Sequence, residues 1–129
     1  MGNFWEGAEI IDVYSRADAL ADGVLIDVSE LARQAGFKFP VAITQAAHED
    51  CVAWDSSEKT PQDETGRLWD IFTMALYTIR KGVAGDTFLF RVLRVPRGGR
   101  RATYADLKMV IGPGDTPAPV MTIMLADED

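Results

Sequence analysis

The sequence predicts an α+β fold in which three to four helices pack on a small, mainly antiparallel, three-stranded sheet built from the C-terminal third. Over residues 15–81, apolar residues recur at helical spacing between N-cap residues and glycines. From residue 88 onward, β-branched and aromatic runs alternate with turn sequences, which is typical of strands. The length of 129 residues indicates a single domain, residues 1–129.

Four segments carry start and stop signals of helices, with Ser, Thr or a polar loop before them and Gly or a loop after them. They run from Ser15 to Gly23, from Ser29 to Gly36, from Thr44 to Trp54 and from about Thr65 to Lys81. Residues 24–26 are a candidate short strand between the first two. Trp54 and Trp69 lie on the apolar stripes of their helices, so we expect both in the core. We expect Trp5 to dock on the domain, and the alternative is an interface anchor.

Three later segments are predicted strands. Residues 88–95 are almost continuously apolar, which favours a strand covered on both faces. Residues 103–111 alternate between apolar and polar, as a half-buried strand does, and residues 120–125 form the third strand. Glycine- and proline-rich turns at 96–100 and 112–115 separate them, so we expect consecutive antiparallel neighbours.

The composition excludes several classes of protein and of site. Twenty acidic against 13 basic residues give a net charge of −7, which is not typical of a generic DNA coat or of a protein that binds anionic membranes. One Cys and one His permit neither an internal disulfide nor a classical zinc site within one chain. We therefore expect no metal, no cofactor and no membrane partner.

Six stretches covering most of the chain carry a resemblance to known proteins. They are YSRADALADGVLIDVSELARQAGF (14–37), FPVAITQAAHEDCVAW (39–54), TGRLWDI (65–71), LFRVLRVPR (89–97), LKMVIGPGD (107–115) and PVMTIMLADED (119–129). In them the chain resembles a family of small bacterial proteins of unknown function, carried largely on phages, plasmids and integrative elements. The resemblance implies a mobile-element role, where small accessory proteins often disarm host defence. It carries over no catalytic or binding residue.

The acidic residues are concentrated in the first half of the chain. Residues 1–64 hold 13 acidic and 4 basic residues, whereas residues 65–129 hold 7 acidic and 9 basic residues. A rigid row of carboxylates can occupy a channel that is built for nucleic acid, because the charges are complementary. General solubility explains the same charge equally simply. The candidate partner-binding acidic surface comprises Glu49, Asp50, Asp55, Glu58, Asp63 and Glu64.

An arginine-rich hairpin at residues 91–101 is the alternative binding element. Arg97, Arg100 and Arg101 are the candidate contacts to nucleic acid phosphates. Arg91 and Arg94 differ in strand parity and are expected on opposite faces, which weakens this interpretation. Either of these two is a candidate to pair with a carboxylate from the acidic half instead.

Two catalytic arrangements are weaker alternatives. His48 and Cys51 are spaced to face each other on a helix, but Cys51 also lies on the apolar stripe, so we expect a packed thiol and a surface imidazole. Asp86 with Asp106 and Lys108 is similar to the pattern of metal-dependent nucleases. If the hairpin turns near residue 98, the two carboxylates lie on the order of 20 Å apart, too far to share one ion.

Together these observations favour a non-enzymatic binding protein of a phage or mobile element. We expect an anti-CRISPR or anti-restriction inhibitor that contacts a host defence complex through its acidic surface, in the bacterial cytoplasm. The alternatives are a nucleic-acid-binding accessory module that uses the Arg-rich hairpin, and a small metal-dependent nuclease. Exposed edge strands would also permit a homodimer.

Overall fold

The computed structural model describes residues 14–55 and 62–129, and it contains four helices and five strands within these ranges. The helices are α1 (Arg16–Asp22), α2 (Ser29–Ala35), α3 (Gln45–Cys51) and α4 (Glu64–Lys81). The strands are β1 (Leu25–Asp27), β2 (Val41–Thr44), β3 (Thr87–Arg94), β4 (Thr103–Pro113) and β5 (Pro119–Leu125). Trp5 and Glu58 lie outside the described residues.

The α+β class is confirmed, but the three-stranded, mainly antiparallel sheet is wrong. The sheet has five strands in the order β1-β2-β5-β4-β3. The predicted antiparallel pairs β3–β4 and β4–β5 are present, and β2 is added parallel to β5, followed by antiparallel β1. Strand β2 is not predictable from local pattern, because its four residues, VAIT, are too short to show a period and follow directly after Pro40.

The helix signals are largely confirmed, with shifted ends. Ser15 caps α1 in a capping box with Asp18, and Gly23 ends the helix in the left-handed conformation at φ 80°. Thr44 caps α3 through its side chain, but the helix stops at Cys51 rather than at Trp54. Ser29 is the first residue of α2 rather than its cap, because its hydroxyl is bonded to the backbone N–H and C=O of residue 41.

The core lies between one face of the sheet and helices α2, α3 and α4. The inward residues of β4 are Ala105, Leu107 and Met109, as their alternation predicts. From the helices, Ile71 and Phe72 of α4 are fully buried against this face. The sheet therefore has an inner face covered by helices and an outer face.

The prediction that β3 is covered on both faces is wrong. Phe88, Phe90 and Val92 are buried, whereas Leu89 and Leu93 are 66% and 51% exposed on the outer face. Their apolar character concealed the alternation, because Leu occupies outward positions that a polar residue would have marked.

The tryptophan predictions are also corrected. Trp69 is 40% exposed and lies at the margin of the buried stripe of α4, and Trp54 is only half-buried. No described helix is long and apolar enough to cross a membrane.

Candidate functional site

The two oppositely charged candidate sets meet at one end of the molecule. The Arg94 guanidinium donates to the Asp50 carboxylate at 2.7 Å, and the Arg97 guanidinium lies 3.3 Å from the Glu49 carboxylate. These contacts join the end of α3 to the end of β3 and the turn that follows it. We call these four residues, Glu49, Asp50, Arg94 and Arg97, the charged junction.

Of the other described acidic candidates, Asp63 and Glu64 lie at the start of α4. Asp63 caps α4 by accepting a hydrogen bond from the Thr65 N–H at 3.1 Å. Glu64 accepts a hydrogen bond from the Trp54 N–H at 2.8 Å. This bond connects the residues just after α3 to the start of α4. Asp55 is exposed. The described acidic candidates therefore include four whose carboxylates are held by backbone or guanidinium donors.

A buried arginine that the sequence patterns do not predict, Arg67, connects the two segments that carry the charged junction. Arg67 is only 4% exposed, and it donates to the Val52 carbonyl at 3.0 Å and to the Val95 carbonyl at 2.8 Å. Its guanidinium also lies 4.7 Å from the centre of the Trp54 ring, a cation–π distance. The available signal was spacing, since Arg67 shares a helical stripe with the buried Ile71, four residues later.

In the described part of the chain the Arg67 guanidinium is bound by neutral oxygens. It makes three hydrogen bonds there, the third to the Gln62 amide oxygen at 3.2 Å. No carboxylate among residues 14–55 and 62–129 lies within ion-pair distance, and the Nη2 atom has no acceptor there. Burial lowers the pKa of Arg67 from its usual value. Arg67 and Arg94 both line a cavity of about 200 Å³, with Ala102 on its wall.

The arginines of the hairpin fall into three environments. Arg91 is on the outer face and pairs with Asp106 at 2.7 Å, while Arg94 is on the opposite side with Asp50, as their parity predicts. Arg97 forms an ion pair with Glu49. Arg100 and Arg101 are exposed, and neither forms an ion pair with a carboxylate in the described part of the chain.

Cys51 does not have the environment of a nucleophilic thiol. Cys51 is 1% exposed in the core, and burial raises the pKa of its thiol to about 11. A thiol with this pKa stays protonated near neutral pH, whereas a nucleophile must be a thiolate. Cys51 is therefore a packing residue, as its position on the apolar stripe predicts.

The acidic residues of the strands do not converge on one metal position. The Asp86 carbonyl accepts from the Ile111 N–H, which places Asp86 five residues along the ladder from Asp106, or about 17 Å at ~3.3 Å per residue. Asp106 is instead bound by Arg91, whose hydrogen bond holds the pKa of Asp106 below its usual value. Within the described ranges, no group of three or more His, Cys, Asp or Glu is arranged to hold a metal ion.

Comparisons with known proteins place the chain in a family but assign it no activity. No curated protein and no solved structure matches the chain significantly. One family model does match, over residues 1–129, and its description is a family of unknown function, DUF6573. Because that match spans the whole chain, this protein belongs to the DUF6573 family.

Proposed function

We propose that this protein is a non-enzymatic binding protein of a phage or other mobile element that inhibits a host defence complex which handles nucleic acid. An anti-CRISPR or anti-restriction role is its most concrete form. The inhibitor contacts its target, in the bacterial cytoplasm, through the acidic surface around the charged junction. The observation that carries the proposal is that carboxylates from separate parts of the chain are fixed at one end of the molecule.

Fixed carboxylates favour recognition because they lose little conformational entropy on binding. Glu49 and Asp50 are held by arginines, Asp63 is held by the first turn of α4, and Glu64 is held by a backbone N–H. Two of these carboxylates keep large exposed fractions, 52% for the Glu49 side chain and 38% for that of Asp50. They can therefore still receive hydrogen bonds from a partner.

The arginines of the charged junction make this surface less similar to the uniformly negative backbone of a nucleic acid. A bare row of carboxylates would be uniformly negative, whereas Arg94 and Arg97 neutralise part of this surface. The surface therefore presents both negative and positive charges. This pattern favours a partner whose charges are complementary to it over a partner that is uniformly positive. Charge complementarity of this kind acts mainly on association rate and specificity.

The test removes charge and keeps the shape of each side chain. In the variant Glu49→Gln, Asp63→Asn and Glu64→Gln, the amide oxygens at positions 63 and 64 can still accept the hydrogen bonds that the carboxylates accept. The control removes three charges elsewhere, with Glu30→Gln, Asp127→Asn and Asp129→Asn. Phage plating efficiency is measured in strains with an active CRISPR or restriction system, with and without each protein.

We expect the unaltered protein and the control variant to raise plating efficiency, and the test variant to lose about tenfold or more of that effect. Affinity purification after nuclease treatment should recover the defence complex with the unaltered protein and the control only. Equal protection by all three proteins would exclude the acidic surface. Failure to protect against either kind of defence system would overturn the anti-defence role.

A second candidate function is binding of nucleic acid by the hairpin, favoured by the exposure of Arg100 and Arg101 without carboxylate partners in the described residues. Such binding would weaken steeply with salt, because phosphate contacts release counterions. The double variant Arg100→Gln and Arg101→Gln should reduce both the affinity for a duplex and the slope of its salt dependence. No binding of the unaltered protein at low salt would reject this candidate.

A further inference from the structure

Strand β3 forms an open edge of the sheet. It is eight residues long, contains no proline, and pairs with β4 on one side only among the described strands. The opposite edge, β1, has only three residues. Long regular edges with apolar side chains are the edges that proteins use, or must protect, for pairing with another chain.

The backbone groups that face this open edge can be assigned from the ladder. The Ile111 N–H donates to the Asp86 carbonyl, so residue 86 is hydrogen-bonded towards β4. Backbone groups alternate in direction along an antiparallel strand. The N–H and C=O groups of the odd-numbered residues Leu89, Arg91 and Leu93 therefore point out from the edge.

The side chains of β3 are arranged almost symmetrically about Arg91. Leu89 and Leu93 flank it on the outer face, and Phe90 and Val92 flank it on the inner face. An antiparallel pairing of two identical strands relates them by a two-fold axis, so a strand with symmetric flanks matches its own copy. With the axis at Arg91, Leu89 of one chain lies opposite Leu93 of the other.

We propose that β3 pairs with β3 of a second copy of this chain, antiparallel and centred on Arg91, to give one continuous sheet of ten described strands. The outward backbone groups of Leu89, Arg91 and Leu93 meet the same groups of the second copy as hydrogen-bonded pairs. The Leu89 and Leu93 side chains form apolar cross-strand pairs on the outer face.

The two Arg91 side chains at the axis do not oppose this pairing. Like charges directly across a sheet normally repel. Here the Arg91 side chain donates through Nε to its own Asp106 at 2.7 Å, and its guanidinium lies 5.2 Å from the centre of its own Tyr104 ring. Asp106 and Tyr104 both lie on β4, so each Arg91 charge is already paired with a carboxylate of its own chain.

The pairing is tested by mass and by hydrogen exchange. Light scattering across a concentration series should show a rise from 14.2 kDa towards twice that mass. Amide exchange at Leu89, Arg91 and Leu93 should slow as concentration rises, whereas the amides of Phe90 and Val92 stay protected throughout. A 14.2 kDa species at millimolar concentration, or no change in exchange at the three outward amides, would overturn the proposal.

Substitutions on the outer face of β3 test whether this face forms the dimer contact. Leu89→Lys with Leu93→Lys should give a monomer, while Tyr77→Lys, at an equally exposed position of α4, should leave the dimer unchanged. Dimer loss in both variants, with melting temperatures equal to that of the unaltered protein, would show that the contact is not specific to β3 and would overturn the proposal. A dimer that survives the double Lys substitution would place the contact elsewhere and overturn the proposal.

Cross-linking tests the register. Chains with Leu89→Cys and chains with Leu93→Cys, differently tagged and mixed, should cross-link to each other on mild oxidation more than either does to itself. The parent chain, whose Cys51 is buried, should not cross-link. Preferential Leu89→Cys self-linking would contradict the Arg91 axis. None of these substitutions touches the charged junction, so this proposal and the inhibitor function fail independently.

Discussion

The Arg94 guanidinium and the Asp50 carboxylate are 2.7 Å apart although 44 residues separate them along the chain. The Arg94 side chain is 14% exposed and that of Asp50 is 38% exposed, so this ion pair is partly withdrawn from solvent. Arg94 also donates to the Thr103 hydroxyl at 2.7 Å. One arginine thereby connects α3 with β3 and β4.

Removing the Asp50 carboxylate should destabilise the fold. Asp50→Ala leaves the mostly buried Arg94 guanidinium without its anion, and we expect a loss of about 1–3 kcal/mol in the free energy of unfolding. The matched control is Asp106→Ala, which breaks the Arg91 pair whose side chains are both about 60% exposed. Exposed ion pairs contribute little to stability because solvent screens them, so we expect a smaller loss for this control. Urea unfolding measures both, and equal losses would contradict the argument.

A carboxylate placed beside Arg67 should stabilise the protein. Ala102 lines the same cavity as Arg67, so Ala102→Glu offers an anion to a buried cation whose acceptors among the described residues are all neutral. Ala102→Gln fills similar volume without the charge and is the control. We expect a higher melting temperature for the Glu variant than for the Gln variant at neutral pH. The advantage should disappear at acidic pH as the new carboxylate is protonated.

The contribution of Cys51 to the stability of the fold should depend on pH only in the alkaline range. The pKa of this thiol is raised to about 11 in the folded protein from a reference value of 9.0, so the folded state holds the proton more tightly than the unfolded state. The associated stability is complete below about pH 9 and is lost as the pH rises towards 11. The difference in unfolding free energy between the unaltered protein and Cys51→Ala should therefore shrink over that interval. A constant difference would contradict the raised pKa.

The two faces of the sheet should respond differently to truncation. Leu93→Ala removes an exposed side chain and should change the free energy of unfolding of the monomer by less than about 0.5 kcal/mol. Leu107→Ala, on the buried face of the adjacent strand, should cost about 2–5 kcal/mol because it leaves a cavity. Thermal or urea unfolding at low protein concentration measures both. Similar costs would mean that the outer face is covered.

Local signals determined much of the architecture. The capping box at Ser15, the Thr44 cap and the glycine after α1 depend on contacts within a few residues, so they could be read directly from the sequence. The β3–β4 hairpin and the β4–β5 pair follow from short turns between periodic segments. The acidic and basic halves were equally visible, because charge is a property of composition.

Only the tertiary structure decided how these parts combine. The parallel pairing of β2 with β5 joins segments about 80 residues apart, and no local pattern records such a contact. The burial of Arg67 and the ion pairs of the charged junction likewise depend on which surfaces the fold brings together. The sequence by itself determined the helices, the hairpin and the opposite charges. The fold decided that Glu49 and Asp50 meet Arg94 and Arg97, because packing α3 on the sheet brings the end of α3 against the end of β3.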